Sequence, residues 1–304
     1  MAISRSQLVK ELEPGLNALF GLEYKRYENQ HAEIYAEESS DRAFEEEVML
    51  SGFANAQVKG EGSGVSFDEA QETFTARYTH ETVALAFAIT EEAIEDNLYD
   101  RISSRYTKAL ARSMSNAKQV KAVTPLIDGL PSTDGFDSGD GVSLFNTAHT
   151  TVSGTNVKNT LTTQADLNET SLEQSLIDIA AMTDERGLRI AARGVKMIIP
   201  SANQFTAERL MKSQGRTGTA DNDINAIGSM GMIPQGYRVN NYLTDSDAFY
   251  IITDVPNGMK MFQRAPLKTA MEGDFDTGNV RYKARERYSF GVSDYRGIFG
   301  VEGA

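Results

Sequence analysis

Between Thr90 and Thr124 apolar and small residues return every three or four positions, at Ile94, Leu98, Ile102, Tyr106, Ala109/Leu110, Ser113/Met114, Ala117 and Val120. That spacing lines them along one face of a helix. Thr90 is placed to cap the start, Glu91 and Glu92 stand in the first turn, and Lys118 and Lys121 lie near the far end. Each charge has the sign that the helix dipole favours at its position. Pro125 biases Thr124 away from helical angles and is expected to end the rod, which would be roughly 50 Å long. A helix of that length with one apolar stripe reads as the spine of an elongated subunit.

Upstream the pattern changes in kind. Residues 1–22 carry a short amphipathic segment (Leu8, Val9, Leu12, Leu16, Leu19, Phe20) that Pro14-Gly15 is expected to break. It reads as an arm that packs on something else. From Glu23 to Glu47 nine acidic residues face three basic ones, which gives either a solvated face or an acidic surface that meets a basic patch on a neighbour. Residues 49–89 form two extended runs about Gly60, Gly62 and Gly64, the pattern of a long hairpin. In the second run Phe74, Ala76 and Tyr78 alternate with polar residues, and then the apolar parity switches to Val83, Leu85, Phe87 and Ile89. Such a switch implies a bulge or a change of neighbours. A two-stranded ribbon is marginal alone in water, so it needs cover, and a neighbouring subunit is the expected source.

Downstream, residues 126–166 are rich in turn formers and begin a second lobe. Thr170 and Glu173 have capping-box spacing ahead of the stripe Leu172, Leu176, Ile179, Ala180 and Met182, with Gly187 as the expected end. The run Val195, Met197, Ile198, Ile199 predicts a strand, and Ser201 with Gln204 predicts another capped helix through Met211. Strand and helix alternating in this way argue a mixed lobe. GRTGTADND (215–223) reads as an exposed loop, and the tail from Tyr237 is rich in strands. There Tyr282, Ala284, Glu286 and Tyr288 alternate with Lys283, Arg285, Arg287 and Ser289.

Composition then removes whole classes of chemistry. The 304 residues contain no Cys, which excludes disulfides, thiolate nucleophiles and Cys-ligated metals. A formal net charge of −13 argues against a general phosphate-binding surface. The start lacks the apolar core of a signal peptide, and no run approaches a membrane span; synthesis in a cytoplasm is expected. The three histidines, His31, His80 and His149, are far apart and read as structural or exposed. GEGSG (60–64) lacks the GK[ST] ending of a phosphate loop and suits a hairpin tip. GVSLF (141–145) is not a nucleophile elbow. The acidic cluster 134–141 lacks the spacing and closing Glu of an EF-hand. No catalytic, cofactor or metal residue is assigned. The basic row Arg281, Lys283, Arg285 and Arg287 is either a solvated strand face or an intersubunit contact with an acidic stretch such as 33–47.

The order of these parts resembles the major capsid proteins of tailed phages with the Hong Kong 97-like fold. SLFNTAHTT (143–151) is similar to the LF-x-x-x-H segment of Mu-type major head subunits, and RYKARERYSFGVSDYRGIFG (281–300) to their aromatic, Arg-rich close. The resemblance implies an α+β fold: an N-terminal arm (1–47), an extended β-hairpin E-loop (48–89), the spine helix of a peripheral domain (90–125), an axial domain (126–257) and closing strands of the peripheral domain (258–304). It implies a structural protein, not an enzyme, that self-assembles as hexamers and pentamers of an icosahedral shell around double-stranded DNA, in the virion. It also implies a separate scaffolding protein, since no scaffolding extension precedes the arm, together with a portal and a decoration protein as partners. Some members crosslink a hairpin Lys to an Asn of the peripheral domain; Lys59, Asn257 and Asn279 stand in matching regions, with noncovalent contacts the default. A cellular nanocompartment shell protein of the same fold is the alternative, and an enzyme of unknown type a remote one.

Overall fold

The computed structural model describes residues 5–90, 92, 99–133, 135–215, 224–274 and 278–304, with backbone alone at 5–13 and 99–102. Helix α1 (Arg5–Arg26) leads to strands β1 (Ala36–Ser39), β2 (Phe44–Leu50), β3 (Glu72–Thr79) and β4 (Glu81–Ile89), then to the long helix α2 (Tyr99–Asp128). The short strands β5 (His149–Thr150) and β6 (Asn156–Val157), helix α3 (Glu169–Ala180), β7 (Gly194–Ile199), helices α4 (Gln204–Lys212) and α5 (Ala226–Met230), β8 (Tyr237–Val239) and β9 (Phe249–Thr253) follow. The chain closes with β10 (Met259–Gly273), β11 (Val280–Val292) and β12 (Ile298–Val301).

These strands make a four-stranded sheet in the order β1-β10-β11-β4, a second in the order β12-β9-β7-β8, and the separate ribbon β2-β3. The first sheet forms because β11 alternates cleanly. Val280, Tyr282, Ala284, Glu286 and Tyr288 are buried, while Arg281, Lys283 and Arg285 are exposed. A period of two sends alternate side chains to opposite faces. The inward face meets α1 and α2, where Leu16, Phe20, Leu110, Ala111 and Met114 pack with Tyr282 and Ala284. The second sheet carries the larger core, in which β7 and β9 supply Met197, Ile198, Ile199, Phe249, Tyr250 and Ile251.

Several local expectations are overturned by packing. Pro14 does not break the first helix, which runs through it from Arg5 to Arg26. Its C-terminal half packs on its own chain, where Leu16 and Phe20 are buried on α2 and the sheet, while the side chains of Leu8, Val9 and Leu12 lie outside the described residues. Proline inside a helix costs about 3 kcal/mol, comparable to burying one or two large apolar side chains. Pro125 likewise lies inside α2, one turn before its end at Asp128. Leu126 and Leu130 are fully buried just beyond it and hold the last turn in the core.

The face that α2 buries is also turned from the expected one. Ser103, Thr107, Leu110, Ala111, Met114, Ser115, Lys118, Gln119, Ala122, Val123 and Leu126 are inside, while Tyr106 and Val120 are about half exposed, at 51% and 46%. The helical period is intact; polar residues occupy the inner face because the fold supplies partners for them. Gln119 accepts from the His31 backbone N–H at 3.0 Å and meets the imidazole at 2.8 Å. Lys118 stands 3.7 Å from the buried Glu286 carboxylate. Glu91 and residues 93–98, with Ile94 and Leu98, lie outside the described residues.

In the second lobe the capping box falls two residues early, on Asn168 and Ser171, because Asn168 adopts the extended backbone that a cap requires. Helix α3 ends at Ala180; Gly187 sits in a later turn at φ +83°. Ser201 opens a single 3-10 turn ahead of α4 with no side-chain cap. Of the 215–223 loop only Gly215 is described, bridged to Ile224. No described helix is long and apolar enough to cross a membrane. Replacing Phe20, 2% exposed, with Ala is expected to cost about 3–5 kcal/mol, read as a lower urea midpoint with faster proteolysis within residues 5–26.

Candidate assembly surface

The ribbon β2-β3 leaves the body at a fixed place. Its ladder pairs Phe44 with Thr79 and runs to Leu50 with Glu72, so it starts before residue 48, and β4 belongs to the first sheet instead. The parity switch at 79–83 is this change of neighbours: β3 pairs with β2, whereas β4 pairs with β11. His80 marks the corner. It is buried, with its ring nitrogens 2.9 Å from the hydroxyls of Ser40 and Ser289.

The ribbon's base is anchored by polar contacts and close approaches. Tyr78 shares a 2.5 Å hydrogen bond with Ser293, and its ring lies where a Cβ on Gly291 would be, at 2.7 Å. Any side chain at 291 would expel that ring. Gly139 leaves similar room for Phe74, whose ring a Cβ there would meet at 2.6 Å. Lys260 reaches Glu47 at 2.5 Å and Glu38 at 3.2 Å. Burial alone would lower the Lys260 ammonium, but these two carboxylates outweigh it and hold its pKa above the usual lysine range. On the other side Arg186 pairs with Asp68 at 3.5 Å and donates to the Glu69 carbonyl.

Past this base nothing in the described chain covers the ribbon. Ser51 N–H donates to Gln71 O at 2.9 Å, and the turn bond from Ser63 N–H to Gly60 O closes the tip. Residues 51–71 belong to no strand. Phe53, Val58, Val65 and Phe67 are 61%, 99%, 69% and 97% exposed. Isolated exposed hydrophobics are ordinary, but four on one projecting ribbon mark an interaction surface. GEGSG is the tip, as its glycines suggest, with Gly62 at φ +78°.

The remaining candidates are structural in their contacts. Asp134 lies outside the described residues. Asp140 is engaged by His149 at 2.7 Å and by the Ser138 hydroxyl. Burial would raise the Asp140 carboxyl, yet these hydrogen bonds hold it below the usual range. His149 is fully buried, stacked on Tyr295 at 3.8 Å between centroids, with its other nitrogen 3.1 Å from Asn159 Oδ1. Asn159 in turn donates to Leu144 O and Tyr295 O at 2.7 and 3.1 Å. The segment 143–151 is therefore a clamp between the 140s loop and the chain's close. His31 is also buried, 3.1 Å from Glu37. Among the described residues no group of three or more His, Cys, Asp or Glu is placed to hold a metal. Lys59 is exposed on the hairpin, Asn257 occupies an exposed turn at φ +59°, and Asn279 is half-buried.

Of the acidic stretch 33–47, Glu33 pairs with Lys196 and Arg238, Glu38 and Glu47 with Lys260, and Glu46 with Arg77, all within the chain. Within the subunit, among the described residues, the basic row is not paired with it. Arg281 pairs with Asp274, and Arg287 donates to the His80 carbonyl. A network that the sequence did not disclose joins the chain's close to the second lobe: Arg296, 2% exposed, bonds Glu185 at 2.5 Å, Asp294 at 3.2 Å and the Thr183 carbonyl at 2.9 Å. Burial raises the Asp294 carboxyl in spite of Arg296.

With this geometry the comparisons are unambiguous. A family model described as phage capsid protein matches residues 72–301. The chain belongs to that family. No curated relative matches its sequence. The fold of this capsid protein is similar to the capsid of an empty GTA particle (14% identity, TM-score 0.57, covering 90% of this chain and 89% of that one). It is also similar to the capsid of Myoviridae phage XM1 (11% identity, TM-score 0.53, 89% of each chain). A third likeness is to the virus-like particle from Pyrococcus furiosus (8% identity, TM-score 0.51, 94% and 98%). The mixed helix-and-sheet fold is that of phage capsids, and the protein is a structural major capsid protein.

Two outcomes follow for this capsid protein. Arg296→Met strands Glu185 and Asp294 as unpaired buried charges, a loss of about 3–5 kcal/mol measurable by urea unfolding. Burial, then Arg287, holds the His80 imidazole below its usual pKa. Its neutral form contributes stability that is complete above about 6.5 and is lost as pH falls through the lower folded value. The urea midpoint is expected to drop more between pH 7.5 and 5.0 in the parent chain than in His80→Gln.

Proposed function

We propose that this capsid protein builds an icosahedral head around double-stranded DNA by burying its projecting hairpin on neighbouring copies. The carrying observation is the run of exposed apolar residues Phe53, Val58, Val65 and Phe67 on a ribbon whose base is rigidly held. Heterologous contacts repeated around a closed symmetry yield hexamers and pentamers. Each interface needs on the order of 1,000 Å² to persist. In this reading α1 and residues up to 47 are the N-terminal arm, 48–89 contain the E-loop, and 90–125 the spine helix. Residues 126–257 are the axial domain, and 258–304 close the peripheral domain. The arm docks on its own subunit, so the hairpin is the principal bridging element. Scaffolding, portal and decoration proteins are the expected partners.

A net charge of −13 keeps most of the surface repulsive to packaged DNA, which favours filling and release without adhesion. Tight, salt-sensitive DNA binding by the purified subunit would contradict that part of the reading. The assembly part is tested by electron microscopy of the expressed protein, with and without its scaffold. The parent chain is expected to form shells, whereas Val58→Asp combined with Phe67→Asp stays a folded subunit of unchanged circular dichroism. Shells formed equally well by that variant would sink the proposal.

A further inference from the structure

Helix α2 departs from the charge balance of the chain. The sequence holds 43 Asp and Glu against 30 Lys and Arg, yet between Arg101 and Ile127 there are six basic residues and no acidic one. Two of the six are paired with strands of the first sheet, Lys118 with Glu286 and Lys121 with Glu81. The side chain of Arg101 lies outside the described residues. Arg105, Lys108 and Arg112 remain. All three are exposed, and among the described residues none has a hydrogen-bond or ion-pair partner.

Helical spacing brings the three together. Lys108 and Arg112 stand about 60° and 20° from Arg105 around the axis, and the three span about 10 Å along it. They form one line on the side opposite Leu110, Ala111 and Met114, which pack with α1 and β11. Like charges three and four residues apart on a helix are destabilising, and nothing in the described subunit relieves that repulsion.

The residues around this line indicate the partner it suits. Ala109, Ser113 and Asn116 are exposed among and beyond the cations, and Ala117 is half-buried. No aromatic or large aliphatic side chain stands on the line itself; Tyr106, on its flank, leans against Phe87 at 5.7 Å between centroids. Protein partners are held chiefly by such anchors, which this line lacks. A nucleic-acid backbone asks for the reverse, Lys and Arg set among side chains small enough to let a wide polyanion approach. Double-stranded DNA presents a phosphate about every 3.4 Å of axis on each strand. The line therefore offers three cations to about three successive phosphates of one strand.

We propose that the Arg105–Lys108–Arg112 line of α2 looks into the lumen of the shell and holds the phosphate backbone of the enclosed DNA. This rests on the reading that the protein builds a head around DNA, and it adds which face of the subunit is turned inward. Three phosphate contacts give a slope of about −3 in log affinity against log salt, too few for one subunit to retain DNA. Repeated on every copy, they hold the outermost DNA to the spine helices while the acidic remainder of the surface repels it.

Acetylation by an N-hydroxysuccinimide ester, read at Lys108 by mass spectrometry, tests this in DNA-filled heads, DNA-free shells and dissociated subunits. Lys108 is expected to react about fivefold less in filled heads than in DNA-free shells, because a phosphate-bound ammonium is withheld from the reagent. DNA-free shells and subunits are expected to react alike. In reconstructions of filled heads by electron microscopy, density joining DNA to residues 105–112 is expected in the parent chain. It is expected to vanish in Arg105→Gln combined with Lys108→Gln and Arg112→Gln, with unchanged circular dichroism. Filled heads in which Lys108 reacts as fast as in empty shells overturn this inference while leaving the shell reading intact. Protection already complete in DNA-free shells would show a protein occupant and overturn DNA as the partner. Failure of the parent chain to form particles, with or without scaffold, removes the reading beneath it.

Discussion

Strand β11 carries three obligations at once, and the rest of the subunit is arranged to meet them. Its inner residues Tyr282 and Ala284 close an apolar layer with α1 and α2. Its two edges hold β10 and β4 in antiparallel register over most of its length. Its final residues, from Gly291 to Ser293, receive Tyr78 from the base of the hairpin. Because the side-chain period of a strand is two, a slip of one residue would exchange Arg281, Lys283 and Arg285 for Tyr282, Ala284 and Glu286. The alternation of β11 therefore fixes where the helices lie, where the hairpin departs and which face stays charged.

Much of what holds the hairpin's base is polar. Lys260 ties Glu47 of β2 to Glu38 of β1 at the base itself, whereas Arg296 with Glu185 and Asp294, and His149 with Asp140 and Asn159, brace the body beside it. Buried ion pairs add little net stability compared with apolar packing, but breaking one is costly. At Lys260 that asymmetry penalises any alternative angle of the ribbon, since a small displacement strands a charge. A projecting element that must meet a neighbour in one geometry gains more from such contacts than from a sliding apolar seam.

The exposed surface divides accordingly. Acidic residues of 33–47 are largely neutralised within the subunit, whereas the hairpin's apolar residues stay exposed and, among the described residues, Lys283 and Arg285 of β11 have no ion-pair partner. A capsid subunit is thus folded in its body and incomplete at its periphery.

The linear pattern alone determined the order of elements, the long helix, the hairpin tip at Gly60–Gly64, a break in parity after Tyr78 and the alternation of β11; that the break is a change of neighbours and not a bulge was decided by the ladders. These rest on local periodicity and on glycine's backbone freedom, which act within a few residues. It misplaced whatever depends on partners far along the chain. Pro14 and Pro125 are tolerated inside helices because Phe20 and Leu126 are anchored by the core. The inner face of α2 is partly polar because His31 and Glu286 wait there. Arg296, in a tail read as aromatic and basic, is among the most buried residues of all because Glu185 and Asp294 converge on it. Local propensity is worth a few kcal/mol at most, and only the assembled tertiary contacts decide when that is outweighed.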